Sequence, residues 1–215
     1  MKIILIGAPG TGKGTQSNFI QKIYNIPKIS TGDLLRKISI KNNKKNDSAI
    51  FDQLKKGKLI NDNIIIDLII KRINKKDCKN GFLLDGFPRT IIQATNIEKN
   101  NIKIDHVIYF WLPEKLIIDR IIGRQIHIAS GRIYHEKLNP PKRKGIDDIT
   151  GEKLITRLDD CKNTIKKRIE EYNIFTAPLI QYYIEKFNQN KIIFNKIDCR
   201  DSIFDIKIKI NNILK

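Results

Sequence analysis

The sequence predicts an α/β fold, with a parallel sheet covered on both faces by helices. Three observations carry this. Short apolar runs, KIILI at 2–6, FLL at 82–84 and VIYFWL at 107–112, stop at turns at Gly7, Asp85 and Pro113. Strands buried on both faces read this way. Stretches with apolar residues at helical spacing lie between the runs. Gly7 and Asp85 stand just past strand ends, where such sheets bind ligands.

Along the chain, 2–6 reads as a buried strand feeding a glycine-rich turn, and 14–24 as a helix with Phe19, Ile20 and Ile23 on one face. Ser30-Thr31-Gly32-Asp33 reads as a helix start, with Leu34, Leu35 and Ile38 following. The polar stretch 41–47 is expected to be a solvated connection. A helix is expected over 61–75, where Ile64, Ile65, Leu68 and Ile69 recur, and 116–123 returns to helical spacing. The segment 123–160 holds Gly131, Pro140, Pro141, Gly145 and Gly151 without a long amphipathic pattern, as in an inserted unit of turns and short strands. Residues 161–187 predict a long helical stretch broken near Pro178, 192–197 a late strand, and 202–214 a closing helix.

The 215 residues suffice for one sizeable core with a smaller insert. No apolar run approaches the roughly 20 residues of a membrane span, and Gly7, Pro9 and Gly10 interrupt the apolar start before a signal-peptide pattern develops. Cytoplasmic residence is the expectation. Cys78, Cys161 and Cys199 are odd in number and widely spaced, which supports neither a disulfide framework nor a cysteine zinc site. The net charge of +18 would suit a polyanion partner. Only ten of the 41 basic residues are Arg, however, and the chain is crowded with Lys, Ile and Asn, the residues A/T-only codons supply. The charge therefore reads as compositional bias. No aromatic stacking platform supports nucleic-acid binding, so no nucleic-acid or membrane partner is expected.

Gly7-Ala8-Pro9-Gly10-Thr11-Gly12-Lys13-Gly14-Thr15 joins the first strand to the first helix. Its glycines let backbone N–H groups turn inward around phosphate oxygens, the helix N-terminus adds partial positive charge, and Lys13 supplies a full one. Gly14 follows the lysine and Thr15 comes one place later. The hydroxyl that ordinarily ligates magnesium is thus displaced.

This loop resembles that of the adenylate kinase family of nucleoside monophosphate kinases, and the resemblance runs along essentially the whole chain. Ser30-Thr31-Gly32-Asp33-Leu34-Leu35-Arg36 matches the family's acceptor segment, and Asp85-Gly86-Phe87-Pro88-Arg89 with Gln93 its most specific motif. Gly131-Arg132-Ile133-Tyr134-His135 and Asn139-Pro140-Pro141 resemble the lid of the long bacterial form, and Arg157-Leu158-Asp159-Asp160 its return to the core. The resemblance implies a P-loop NTPase-like core (1–30, 61–122 and 161–215), a small helical acceptor insert for AMP (31–60) and a lid insert (123–160). It implies a monomer that interconverts Mg·ATP and AMP with two ADP by direct in-line transfer. UMP or CMP kinases are the nearest alternative.

By the same resemblance, Gly10, Thr11, Gly12, Lys13, Gly14, Thr15, Arg120, Arg124, Ile133, Tyr134 and Asp201 hold the donor. Thr31, Arg36, Lys58, Leu59, Ile60, Gly86, Phe87, Pro88, Arg89, Gln93, Arg157 and Arg168 hold the acceptor. Lys13, Arg89, Arg124, Arg157 and Arg168, with Asp159, surround the transferring phosphoryl. Asp33 and Asp85 hold the hydration shell of magnesium. Arginine suits such a site because its planar fork grips two oxygens and stays charged. Arg120 and Arg124, four apart, are expected on one helix face. Asp33 also reads as a helix N-cap, and Asp159 and Asp160 as the pair that orients the lid arginines. Gln93 offers the donor–acceptor amide that complements adenine's edge.

Some family members bind zinc in the lid through four cysteines spaced C-x2-C-x16-C-x2-C. His127, Ser130, Asp147 and Thr150 fill that spacing here. Hydroxyls are poor zinc ligands, so a polar network without zinc is expected. Three departures from the family pattern are Leu138 in place of an aromatic, Gln125 after Arg124, and Asp198-Cys199-Arg200 in place of Asp-Gly-Thr. Cys199 is expected to need a backbone shape that favours glycine.

Overall fold

A computed structural model of the chain describes residues 1–35, 59–157 and 160–215. The readings placed on 41–47, Arg36, Lys58 and Asp159 lie outside those residues.

Five strands form one parallel sheet in the order β2-β3-β1-β4-β7. They are β1 (Lys2–Gly7), β2 (Lys28–Ser30), β3 (Phe82–Asp85), β4 (His106–Trp111) and β7 (Ile193–Asp198). β1 is central because it buries both faces. Ile3 and Leu5 point into one apolar layer, and Ile4 and Ile6 into the other. The first layer takes α1 (Lys13–Tyr24), α4 (Glu114–Ile121), α5 (Lys162–Glu171) and α7 (Ile203–Ile213). The second takes α2 (Asp62–Ile73), α3 (Ile91–Lys99) and α6 (Pro178–Asn188). The chain leaves β1 for β2 and β3 on one side and for β4 and β7 on the other. The resulting crevice lies beyond the carboxyl ends of β1 and β3, where Leu5 pairs with Asp85.

Local chemistry sets the boundaries. Gly12 caps α1 at φ +92°, a conformation open to glycine. Asn61 and Thr90 accept from the N–H groups of Asn63 and Gln93 at the starts of α2 and α3. The break expected near Pro178 is a wide turn at Tyr172–Thr176, where Ala177 N–H reaches back to the Tyr172 carbonyl at 2.8 Å, before Pro178 starts α6. β2 and α3 are additions to the sequence reading; β2 is too short for a periodic signal.

Two expectations are corrected here. Ile122 is extended and Gly123 takes φ +90°, so α4 ends before Arg124, which instead opens β5 (Arg124–Ile126). Arg120 and Arg124 therefore share no helix. Cys199 is buried and absent from the left-handed residues, which besides glycines are Asn25, Asn101 and Asn190 among those described. It needs no glycine-like backbone.

The segment 123–157 is built of short pieces, as expected. β5 pairs antiparallel with β6 (Ile133–His135), and bridges at Ile126–Ile155 and Ile146–Lys153 close the unit. It lies against the glycine-rich loop. A Cβ placed on Gly14 would stand 2.8 Å from Ile133 Cδ1.

Candidate active site

The crevice is a cavity of about 420 Å³. Gly10, Thr11, Gly12, Lys13, Gly14 and Thr15 form its floor. Arg89, Arg120, Arg124, Arg157 and Arg168 all line it, brought from α4, β5 and α5 and from the segments after β3 and β6. With Arg200, which follows β7, six guanidiniums surround one cavity and repel one another, so the arrangement suits a polyanion. A unit pair at 4 Å contributes about 4 kcal/mol at an effective dielectric near 20.

The Lys13 ammonium donates to the carbonyls of Gly7 at 2.6 Å and Ala8 at 2.7 Å and to Thr11 Oγ1 at 3.3 Å. These oxygens occupy its donors as phosphate oxygens would. Burial pushes its pKa down to about 8, against the attraction of Asp85.

Asp160 organises the arginines. Its buried carboxylate accepts from Arg124 Nε at 2.8 Å and Nη2 at 2.5 Å, and from Arg168 Nη1 at 3.2 Å. Across the cavity, Arg89 Nε and Thr31 Oγ1 both donate to the Gly86 carbonyl, each at 2.9 Å. Gln93 is buried. Its Oε1 accepts from Arg89 N–H and its Nε2 donates to Asp62, each at 2.7 Å. One amide proton and one lone pair are left for a ligand. Thr31, Ile60, Gln93 and Leu59 line a small side pocket of about 30 Å³ that shares Gly86 and Arg89 with the large one.

Phe87 does not reach the cavity; it is 2% exposed and packs in the core, while Pro88 lines the wall. Tyr134 lines the cavity but commits its hydroxyl to Asp147 at 3.0 Å. Ile133 and Asp201 line it too, and Asp201 accepts from Lys209 at 2.5 Å. Leu138 is on the rim, 57% exposed. His135 Nε2 faces the Ile122 carbonyl at 3.0 Å and its Nδ1 faces the N–H groups of Lys137 and Leu138.

Asp33 and Asp85 both line the cavity. Asp33 is no N-cap: its N–H donates to Ser30 Oγ at 3.3 Å, and Ser30 does the capping. Asp85 accepts from Ser17 Oγ at 3.1 Å. Among the described residues no group of three or more His, Cys, Asp or Glu converges. Two carboxylates among hydroxyls form a hard oxygen donor set, and this fits magnesium, which keeps several waters and takes other ligands from phosphates.

In the segment 123–157, His127 Nδ1 meets Ser130 Oγ at 2.7 Å, its Nε2 meets Thr150 Oγ1 at 3.3 Å, and Thr150 donates to Asp147 at 2.9 Å. Arg132 grips Asp147 at 2.8 and 2.6 Å, and Glu152 also bonds His127. Sequence reasoning gave no individual role to Arg132, Glu152, Lys28 or Arg200, the last two of which line the cavity. Lys28 stands two places before Ser30 on the same strand face, the one signal that could have marked it.

The family model described as adenylate kinase matches residues 5–188. Proteins named adenylate kinase from three strains of Buchnera aphidicola subsp. Acyrthosiphon pisum, Tuc7, 5A and APS, are each 54% identical to this chain over 215 residues, covering all of both chains.

Proposed function

This chain belongs to the adenylate kinase family and is an ATP:AMP phosphotransferase, and we propose that its cavity performs the transfer through the residues that follow. The glycine-rich loop and Lys13 hold the donor's β and γ phosphates, with Arg120, Ile133, the Tyr134 backbone and Asp201 around the donor nucleoside. Arg89 grips the acceptor phosphate, joined by Arg36. Thr31, Lys58, Leu59, Ile60, Gly86 and Gln93 surround the acceptor base, and opening of the side pocket admits it.

The moving phosphoryl spreads negative charge over its equatorial oxygens, so the protein's task is positioning and charge stabilisation. Arg124, Arg157 and Arg168 supply fixed positive charge, with Arg124 and Arg168 held ready by Asp160. Asp159 is assigned the same orienting role. Asp33 and Asp85 would hold the hydration shell of a magnesium ion bound with ATP, and the ion would supply positive charge against the phosphates. The lid, 123–160, excludes water that would otherwise take the phosphoryl. It is held by its polar network without zinc. The protein acts as a cytoplasmic monomer on ATP, AMP and ADP. Among the described residues no helix is long and apolar enough to cross a membrane.

The convergence of Arg89, Arg120, Arg124, Arg157 and Arg168 with Lys13 on one cavity carries this reading. A coupled assay with ATP and AMP, UMP or CMP, run beside Lys13→Met, tests it. AMP is expected to be the preferred acceptor and Lys13→Met to lose nearly all activity. Equal rates on all three acceptors, or an undiminished variant, would refute the assignment.

A further inference from the structure

Lys28, at the start of β2, has no part in the machinery assigned above. Its side chain is 12% exposed, and its ammonium lies 3.9 Å from Asp85 Oδ2. The same ammonium donates to Asn18 Oδ1 at 3.0 Å. Asn18 uses the other end of that amide toward the lid, where its Nδ2 donates to the Gly131 carbonyl at 3.3 Å. Gly131 sits in the turn between β5 and β6. Four groups thus stand in line: a carboxylate at the end of β3, an ammonium from β2, an amide from α1 and a lid carbonyl.

The chemistry gives the line a direction. An Asn amide facing a turn can present either end to it, and only the N–H end bonds a carbonyl. An ammonium on the near side demands the oxygen, which turns the N–H groups outward to Gly131. The bond from the ammonium to Asn18 is charge-assisted and so exceeds a neutral one in strength, and the Asp85 carboxylate 3.9 Å away holds the ammonium by charge attraction. The contact falls where Ile133 packs over Gly14, so the clasp and the lid's seat on the phosphate loop are adjacent.

We propose that Lys28 is a positioning residue for lid closure: anchored by Asp85, it orients the Asn18 amide to clasp Gly131. The proposal rests on the phosphotransferase reading above. The test uses the full chain and a bisubstrate analogue of two adenosines joined through phosphates. Dyes on Ile149→Cys in the lid and Lys79→Cys in the core report closure, in a Cys161→Ser background that removes the exposed native thiol. Lys28→Met and Asn18→Ala are each expected to weaken analogue binding by about three- to ten-fold and to shift the dyes apart, as for contacting residues in one network. The double variant is expected to be no weaker than the weaker single. Lys28→Arg is expected to restore closure, and the KM for ATP to rise in Lys28→Met while that for AMP holds. Additive losses, or a Lys28→Met lid that closes like the wild type, would overturn the clasp alone. A wild-type chain that did not bind the analogue would overturn both the clasp and the phosphotransferase reading.

Discussion

Asp160 receives Arg124 as a two-pronged fork, Nε at 2.8 Å and Nη2 at 2.5 Å, on a carboxylate buried from solvent. Arg168 reaches the same carboxylate at 3.2 Å, so one anion sets the aim of two cations from different elements. Preorganised charge of this kind is worth most where water is excluded, because the groups need not reorient as charge develops.

Asp160→Asn keeps the shape of the side chain and removes its charge. Both guanidiniums then lose their anchor, and kcat is expected to fall about 100-fold, the scale of removing one preorganised transition-state contact. The KM values should move much less, since substrate binding draws on the other cations. Steady-state kinetics checks this, and a kcat within two-fold of wild type would show that the arginines are aimed by something else.

Lys13 makes proton uptake a signature of nucleotide binding. Burial lowers its pKa to about 8 in the ligand-free protein, and a polyphosphate beside it must raise that value again. Near pH 8, ATP binding should therefore draw a fraction of a proton from the buffer. Calorimetry in buffers of different ionisation enthalpy measures it, and Lys13→Met should abolish it. The sign for stability follows from the same depression. Between about pH 8 and the ordinary lysine value near 10.4 the unfolded chain binds more protons than the folded one, so this group's contribution to stability rises with pH across that window.

How far the sequence carried differs by kind of residue. Lys13 and Arg89 were legible because their motifs fix them to strand ends, and strand ends fix them to the crevice. Arg124 does line the cavity but was misplaced on a helix, because a four-residue spacing looks helical until Gly123 turns the chain. Phe87 shares a motif with the cavity residues yet packs in the core, because a motif fixes where its residues lie in the chain but not which way each side chain faces. Lys28 and Glu152 were invisible because their partners, Asp85 and His127, are 57 and 25 residues away in sequence, and no local pattern records such pairs.

Gln93 should govern the acceptor alone. Its amide is held by Asp62 and the Arg89 backbone at 2.7 Å each, which presents the remaining proton and lone pair to the side pocket. Gln93→Leu is expected to raise the KM for AMP at least about ten-fold, the discrimination lost when a paired polar group is removed. The KM for ATP should stay within about two-fold. An acceptor titration at fixed ATP decides it, and equal changes in both constants would place Gln93 in general packing.

The segment 123–157 should owe its stability to the ionised Asp147 carboxylate paired with Arg132, with no help from zinc. Hydrogen bonds from Arg132, then from Thr150 and Tyr134, hold the Asp147 carboxyl well below the usual carboxylate range against the opposing effect of burial. A depressed folded value means the contribution is present in full above the unfolded pKa near 3.9 and fades as pH falls below it. Asp147→Asn should therefore lower the melting temperature at pH 7, and the gap from wild type should narrow as pH falls below about 4. A chelator should leave the wild-type melting temperature unchanged at pH 7, with no stoichiometric metal in elemental analysis of the purified protein. A chelator-sensitive transition with one zinc per chain would mean that the His127, Ser130, Asp147 and Thr150 positions bind metal after all.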